Sequence, residues 1–357
     1  MKVKLGDIFE IGSGGTPSKS HPEYYGGDIP WVKTGDLKSE YLYEVEDFIT
    51  EEGLKNSSAK LYEPDTVLIA MYGATIGATS ILKMDACTNQ ACAAFKKNDK
   101  VIPEYLYYFL KSQKVKFVKD GVGGAQPNIS AGYLKKVEME LPSLDEQRAI
   151  VEVLDKTTNI MVMRNQEIAS LDNLIKARFV EMFGDCNNMI SMSEICSIIT
   201  DGTHQPPKFQ ETGIPFIFVS NLANNTVTYN AEKFISKETY NELYKRTPIE
   251  PGDLLLSTVG SYGHPAVVVE DTKFLFQRHI AYLKPKKEII NSFYLHSALL
   301  SSDCQRQIEE KVKGIAQKTL NLSEIRKIMI PVPNIEAQNV FVDFIYQVDK
   351  SKLKKLR

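Results

Sequence analysis

One long internal repeat constrains the fold of this chain more than any other feature of its sequence. Residues 29–37 (IPWVKTGDL) correspond to residues 214–222 (IPFIFVSNL), and the Glu-Pro pair at 63–64 corresponds to the pair at 250–251. In both copies the Glu-Pro pair introduces a short apolar run. A period of about 190 residues is far too long for a solenoid of stacked short repeats. The sequence therefore predicts two copies of one domain.

Composition excludes several classes of protein. The chain has 357 residues, of which 43% are hydrophobic and 25% are charged, and these are ordinary values for globular domains. The longest apolar stretch, residues 67–72, is much shorter than the roughly 20 residues that a membrane-spanning helix needs, and residues 1–7 do not resemble a secretion signal. We expect no membrane association and a cytoplasmic location.

Cysteine usage predicts reduced thiols rather than a disulfide framework or a zinc site. The five cysteines form an odd count, and none lies in a Cys-x-x-Cys pair. No metal site is predicted.

Each copy mixes strand and helix patterns. Residues 66–71 and 253–258 have a strand pattern, whereas residues 103–118 and 291–312 have helical apolar spacing. The predicted fold class is α+β, with two similar globular domains of mixed α/β structure.

A long helix is predicted between the copies, because residues 145–184 contain no proline and no glycine before Gly184. Apolar residues recur there every seven positions, which is typical of one edge of a heptad seam, at Leu154, Met161, Ile168, Ile175 and Met182. Forty helical residues would extend about 60 Å. A helix buried against its own domain is the alternative.

A second helix is predicted after the second copy, since Pro333 and Gln338 repeat the spacing of Pro142 and Gln147. Ile345 then corresponds to Leu154 in the seam. We expect the two helices to form a partial antiparallel coiled coil, with the second helix shorter than the first and apparently truncated. The predicted segments are a first domain (1–141), a helical spacer (142–184), a second domain (185–332) and a C-terminal helix (333–357).

Several sequence motifs and their order resemble a known family. They are GSGGTPS at 12–18, IPWVKTGDL at 29–37, DGTH at 201–204 followed by Pro206-Pro207, and P-x-x-x-E-Q-x-x-I at 142–150. Together with the order domain, helix, domain, helix, they make the chain similar to the specificity subunit of type I restriction-modification systems over essentially its whole length.

The resemblance implies a function and a set of partners. In that family each target-recognition domain reads one half of a split site in double-stranded DNA, and the helices fix the gap between the halves. Two methyltransferase subunits dock on the helical region, and endonuclease/translocase subunits join the complex. The chain itself would then be non-catalytic, with S-adenosylmethionine, ATP and Mg²⁺ belonging to the partner subunits.

The residues themselves also argue against a catalytic site. An amino-group methyltransferase would need an Asn/Asp-Pro-Pro-aromatic motif, and Gln205-Pro206-Pro207-Lys208 lacks both the Asn or Asp and the aromatic ring. The Gly-x-x-x-x-Gly-Lys-Ser/Thr motif of nucleotide-driven motors and the Gly-x-Ser-x-Gly elbow of hydrolases are both absent from the sequence.

Net charge leaves a second hypothesis open. Lys and Arg number 43 against 45 Asp and Glu, which gives a net charge of −2, whereas a protein that holds DNA alone usually has a basic excess. Either basic groups cluster on one face or a partner supplies much of the phosphate contact. The alternatives are a non-catalytic protein-interaction scaffold with duplicated domains, and a truncated or silent specificity allele.

Candidate DNA-binding residues are polar loop residues of the types that contact bases or phosphates. Each of them has an alternative role as a turn residue or a hydrogen-bonded core group. The first domain contributes Ser13, Thr16, Ser18, Lys33, Thr34, Tyr72, Thr75, Asn89, Gln90 and Gln126. The second domain contributes Asp201, Thr203, His204, Lys208, Ser220, Asn221, Ser261, Tyr262, His264, Gln277, Arg278 and Gln317.

Overall fold

The chain divides into two units, Met1–Met163 and Arg164–Arg357, and the boundary falls inside one long helix. The computed structural model describes residues 1–122, 128–314 and 317–356. No helix within these ranges is long and apolar enough to span a membrane. The predicted segment limits at 141, 184 and 332 remain a prediction.

The first unit contains three sheets, with strand orders β1-β11, β2-β10-β7-β8-β4 and β5-β3-β9-β6. Its strands are β1 (Lys2–Lys4), β2 (Ile11–Ser13), β3 (Tyr25–Val32), β4 (Tyr41–Leu42), β5 (Phe48–Ile49), β6 (Leu61–Tyr62), β7 (Val67–Ala70), β8 (Thr79–Leu82), β9 (Ala86–Thr88), β10 (Cys92–Phe95) and β11 (Glu138–Glu140). Its helices are α1 (Leu5–Ile8), α2 (Glu51–Lys55), α3 (Pro103–Ser112), α4 (Lys114–Asp120), α5 (Ala131–Lys136) and the beginning of α6 (Leu144–Phe183).

The second unit also contains three sheets, with orders β12-β20, β13-β19-β16-β17 and β15-β14-β18. Its strands are β12 (Met189–Ser191), β13 (Cys196–Asp201), β14 (Ile214–Ile217), β15 (Lys233–Ile235), β16 (Leu254–Ser257), β17 (Pro265–Val267), β18 (Leu275–Phe276), β19 (Ile280–Pro285) and β20 (Met329–Pro331). Its helices are α7 (Met192–Ile195), α8 (Lys237–Leu243), α9 (Ser292–Leu299), α10 (Ser302–Lys311), α11 (Leu322–Ile325) and α12 (Ile335–Leu356).

The two units have the same sheet topology. The order β2-β10-β7-β8 in the first unit is matched by β13-β19-β16-β17 in the second, and β5-β3-β9 is matched by β15-β14-β18. Strands β3 and β9 of the first unit are parallel, and so are β14 and β18 of the second unit. The neighbouring strands in the matched orders β2-β10-β7-β8 and β13-β19-β16-β17 are antiparallel. The predicted duplicated domain of mixed α and β structure is confirmed.

The apolar runs that follow the Glu-Pro pairs form the central strands of the larger sheets. The predicted strands are confirmed, and every residue of β7 and of β16 is buried, which is typical of strands that are covered on both faces. Leu106 and Leu110 of α3 pack on one side of the first of these sheets, and Leu295 and Leu299 of α9 occupy the same place in the second.

The helices predicted over 103–118 and 291–312 are each two helices, so that prediction was wrong about their continuity. In the second unit Ser301 begins a new helix, because its hydroxyl accepts a hydrogen bond from the Cys304 N–H (3.3 Å). In the first unit the backbone N–H of Gln113 bonds to the Leu110 carbonyl (3.1 Å) and ends α3. Apolar spacing continued across both breaks and did not mark them.

A buried glutamine fastens α6 to the first domain. The side-chain oxygen of Gln147 accepts a hydrogen bond from the Ile102 N–H (2.9 Å). Its amide group donates to the carbonyls of Lys100 (2.9 Å) and Pro142 (3.0 Å). The side chain is fully buried, so these bonds hold the first turn of α6 against the start of α3. Further along α6, the Tyr108 hydroxyl donates to Asp155 (2.6 Å).

The second unit repeats this connection. The side-chain oxygen of Gln338 accepts a hydrogen bond from the Asn291 N–H (2.8 Å), and its amide group donates to the carbonyls of Ile289 (3.0 Å) and Pro333 (2.9 Å). Gln338 is also fully buried. The repeated Pro-x-x-x-x-Gln spacing therefore encodes the junction between each domain and the helix that follows it.

Helix α12 pairs with the C-terminal part of α6. The Phe341 ring lies 5.6 Å from Phe183, and the Phe344 ring lies 5.9 Å from the guanidinium of Arg178, one turn earlier in α6. The two helices therefore run antiparallel, as predicted. The predicted seam residues in this part of the chain, Ile175, Met182 and Ile345, belong to or pack against the same core cluster.

The seam is not covered along its whole length. Leu154 and Ile168 are partly buried, but Met161 is 62% exposed. The neighbouring Ile160 and Met163 are 58% and 67% exposed. The middle of α6 therefore presents apolar side chains to solvent.

Candidate nucleic-acid interface

In the first unit, strand pairing brings the ends of four strands to one edge. Strands β3 and β9 are parallel, with Val32 opposite Thr88, so both chains leave the sheet at the same edge. Strands β2 and β7 pair antiparallel with β10, and their last residues lie beside its first residues. These strand ends and the loops that follow them carry the predicted residues Ser13, Thr16, Ser18, Lys33, Thr34, Tyr72, Thr75, Asn89 and Gln90.

Close packing explains the glycines of the GSGGTPS motif. The Gly15 N–H donates to the Thr88 carbonyl (2.9 Å), and a Cβ added to Gly14 would lie 1.8 Å from that carbonyl oxygen. The Trp31 indole N–H donates to the Gly15 carbonyl (3.0 Å). The glycines therefore allow the loop to lie directly on the β3-β9 pair, which places Thr16 at the edge.

Two side-chain contacts organise this edge. The Thr16 hydroxyl donates a hydrogen bond to the side-chain oxygen of Gln90. Lys33 forms an ion pair with Asp47, whose hydrogen bond raises the pKa of the lysine. Both partners of the ion pair are about 40% exposed, so the pair contributes little to stability (about 0–1 kcal/mol).

The second unit forms an equivalent edge. Strands β14 and β18 are parallel, with Ile217 opposite Phe276, and β13 and β16 pair antiparallel with β19. Gly202 packs on this pair as Gly14 does in the first unit, since an added Cβ would lie 2.3 Å from the Phe276 carbonyl oxygen. The strand ends and loops at this edge carry the predicted residues Asp201, Thr203, His204, Ser220, Ser261, Tyr262, Gln277 and Arg278.

Charged contacts organise the second edge. Asp201 accepts a hydrogen bond from Arg246 (2.8 Å), Nε2 of His204 lies 2.9 Å from the same carboxylate, and the Asp201 side chain is only 17% exposed. Arg278 donates through Nε to Nε2 of His279 (3.2 Å). Burial, and then the charge of Arg278, lower the pKa of His279, which favours the neutral ring that can accept this bond.

Sequence reasoning missed Arg246 and His279. Arg246 follows α8 and reaches Asp201 across 45 positions of sequence, and no local motif signals that contact. His279 is the neighbour of a predicted residue, but its role depends on a side-chain orientation that the sequence does not encode. Lys233 was also missed; it lines a cleft with Ser220, and its ammonium lies 5.2 Å from the Phe209 ring.

Asn221 does not fit its predicted role. Its side chain is 9% exposed, and its oxygen accepts a hydrogen bond from the Phe218 N–H (3.0 Å) while its amide donates to the carbonyls of Thr228 (3.1 Å) and Asn230 (3.2 Å). Asp36 closes the same turn in the first unit by accepting from the Lys33 N–H (2.7 Å). Asn221 therefore holds the turn, and its buried side chain uses its amide nitrogen and its oxygen in hydrogen bonds to neighbouring main-chain atoms.

The remaining predicted residues have varied surroundings. Thr75 donates to the Tyr72 carbonyl (3.1 Å), and Ser18 bonds to the Ser20 hydroxyl (2.7 Å). The His264 ring contacts the Asn225 side chain (3.2 Å). Lys208 and Gln317 are exposed. Gln126 lies outside the described residues.

In the part of the chain that the structure describes, no group of three or more His, Cys, Asp or Glu side chains lies close enough together to hold a metal ion. All five cysteines are free thiols, as predicted. Four of them are buried, and burial raises the pKa of Cys87 to about 11 and that of Cys92 to about 12.

Comparison with known proteins gives consistent similarities. The family model described as type I restriction modification DNA specificity domain matches residues 1–173 and again residues 187–357. The type I restriction enzyme MjaIX specificity subunit of Methanocaldococcus jannaschii is 26% identical, over 92% of this chain and 82% of that protein.

Two solved structures share the fold. A chain from work on complex assembly and conformational transition of the type I R-M system has a TM-score of 0.59 at 17% identity, and the match covers 100% of this chain and 92% of the other. The type I restriction-modification system S subunit from M. genitalium has a TM-score of 0.54 at 16% identity, with coverage of 99% and 90%.

Proposed function

The chain belongs to the type I restriction modification DNA specificity domain family, and we propose that it is the DNA specificity subunit of a type I restriction-modification complex. Each domain reads one half of a bipartite site in double-stranded DNA, using the sheet edge described above. The chain is non-catalytic and contributes no cofactor, so S-adenosylmethionine, ATP and Mg²⁺ are bound by its partners. It acts in the cytoplasm.

One observation carries this proposal. The two units build the same edge from the same strand order, yet the side chains at equivalent positions differ: Thr16 corresponds to His204, and Lys33 corresponds to Phe218. A duplicated frame with different side chains suits the reading of two different short sequences. Half-sites about one helical turn apart, roughly 34 Å, present the same face of DNA, and a stiff helix between two readers suits such a spacing.

The partners in this proposal are two methyltransferase subunits, with endonuclease/translocase subunits joining through the complex. The apolar side chains exposed in the middle of α6 support a protein-binding role for the helix, because contiguous exposed apolar surface commonly marks an interaction site. The net charge of −2 agrees with partners that supply part of the phosphate contact.

Methylation mapping tests the proposal. The chain is co-expressed with a cognate methyltransferase subunit, and methylated positions are mapped across the host genome; the methyltransferase subunit expressed alone is the control. We expect a motif with two specified halves and an unspecified gap that appears only when both proteins are present. A stable complex that methylates no defined motif would favour the interaction scaffold.

A further inference from the structure

One exposed turn occupies the same place in both edges. In the first unit it connects β9 to β10, and the Asn89 N–H donates to the Val32 carbonyl (2.9 Å). In the second unit it connects β18 to β19, and the Gln277 N–H donates to the Ile217 carbonyl (3.2 Å). The next residue is exposed in both turns, and it is Gln90 in the first unit and Arg278 in the second.

The backbone on either side of this residue is also equivalent. A backbone hydrogen bond closes each turn: the Cys92 N–H donates to the Asn89 carbonyl (3.2 Å), and the Ile280 N–H donates to the Gln277 carbonyl (3.1 Å). Gln90 and Arg278 therefore stand at one position of one duplicated frame. The difference between them is chemical: one side chain is an amide and the other is a guanidinium.

Among the described residues, the guanidinium of Arg278 makes one side-chain hydrogen bond, at Nε. Its Nε–H donates to His279, and the two terminal nitrogens project from an exposed residue. Two parallel N–H groups match the O6 and N7 acceptors that guanine presents in the major groove. The contact with His279 restricts rotation of the side chain and so fixes the plane of the fork.

The amide of Gln90 is held in a comparable way. Thr16 donates to its side-chain oxygen, which has a second lone pair, and neither N–H group of the amide is bonded within the part of the chain that the structure describes. An amide that donates through nitrogen and accepts through oxygen matches N7 and the N6 amino group of adenine.

We propose that this turn is a specificity-determining position in both domains, where Gln90 selects an adenine in one half-site and Arg278 selects a guanine in the other. Thr16 and His279 are positioning residues that orient these two side chains. The inference rests on the proposed function and extends it to named bases.

Substitution at the turn tests the inference in the full chain, co-expressed with the methyltransferase subunit. Arg278→Gln and Arg278→Lys each remove the planar fork, and the lysine variant retains the positive charge. We expect one position in the half-site of the second domain to lose its guanine preference by about 5- to 150-fold in both variants. Gln90→Met should reduce the adenine preference at one position in the half-site of the first domain by a similar factor.

Arg306→Gln provides the matched control, because Arg306 is exposed on α10 and pairs with Asp303 (2.8 Å). This variant should methylate the same motif as the unmodified chain. Melting curves for every variant establish that the domains are folded before motifs are compared. If Arg278→Gln is unfolded, the comparison is made with Arg278→Lys alone.

The outcomes separate this inference from the proposed function. If Arg278→Lys and Arg278→Gln weaken methylation equally at all sites and leave every base preference unchanged, Arg278 contacts phosphate and the inference is wrong. If the unmodified chain directs no bipartite motif at all, the proposed function itself is wrong.

Discussion

The buried glutamine at the start of each long helix makes a quantitative prediction. Gln338→Met preserves the length and approximate volume of the side chain but removes its amide. The change leaves the Asn291 N–H and the carbonyls of Ile289 and Pro333 without their partners. Since Gln338 is fully buried, water cannot replace the lost hydrogen bonds without opening the junction.

The expected loss follows from the number of hydrogen bonds. Each of the three contributes a net stability of about 1 kcal/mol, so the second unit should lose about 3 kcal/mol. In a unit of this size that loss lowers the melting temperature by about 6–12 °C. Gln147→Met should destabilise the first unit by a similar amount, because Gln147 makes the same three contacts.

Thermal and urea unfolding of the full chain, followed by circular dichroism, measures these effects. A chain of two units can show two transitions, so each variant is assigned to the transition that it moves. Gln166→Met is the control, because Gln166 is exposed on α6 and exposed substitutions usually change stability by less than about 0.5 kcal/mol. If Gln338→Met is as stable as this control, the glutamine does not hold the junction.

Three further predictions follow from the structure. Gly14→Ala should destabilise the first unit by about 1–3 kcal/mol because its Cβ would collide with the Thr88 carbonyl, whereas Gly35→Ala, whose Cβ would meet nothing within 4 Å, should be close to neutral in the same melting assay. The second unit should lose stability as the solution is acidified from about pH 7 to about pH 5. Burial lowers the pKa of His279 and His296 in the folded unit, so in this pH range the unfolded chain binds more protons than the folded unit does. His296→Gln should reduce this acid sensitivity, and an unchanged pH profile would contradict the assignment. Exchange of residues 1–141 for those of a relative should change one half of the methylated motif only, and a change in both halves would show that the domains do not read DNA independently.

The sequence predicted the parts of the fold that depend on periodic patterns. The apolar runs after the two Glu-Pro pairs became the buried strands β7 and β16, and the region without proline between the copies became α6. The breaks after α3 and α9 were not predicted, because Gln113 and Ser301 end or begin a helix through backbone and hydroxyl contacts that leave the apolar spacing intact.

The candidate interface was predicted less completely, for a physical reason. Residue type and loop position selected Gln90 and Arg278 as candidates, since polar groups that interrupt an apolar stretch are visible in the sequence. The same criteria selected Asn221, whose hydrogen bonds are all used within its own turn. They also missed Arg246, because a contact across 45 positions depends on tertiary structure.

The glutamine junction has a consequence for how such chains diversify. Gln147 and Gln338 bind only main-chain atoms of their domains, an N–H group and two carbonyls in each case. Any domain whose backbone follows the same course can accept the same attachment, whatever side chains it carries. A new recognition module could therefore be spliced in front of an existing helix by recombination near Pro142 or Pro333, without compensating mutations at the joint.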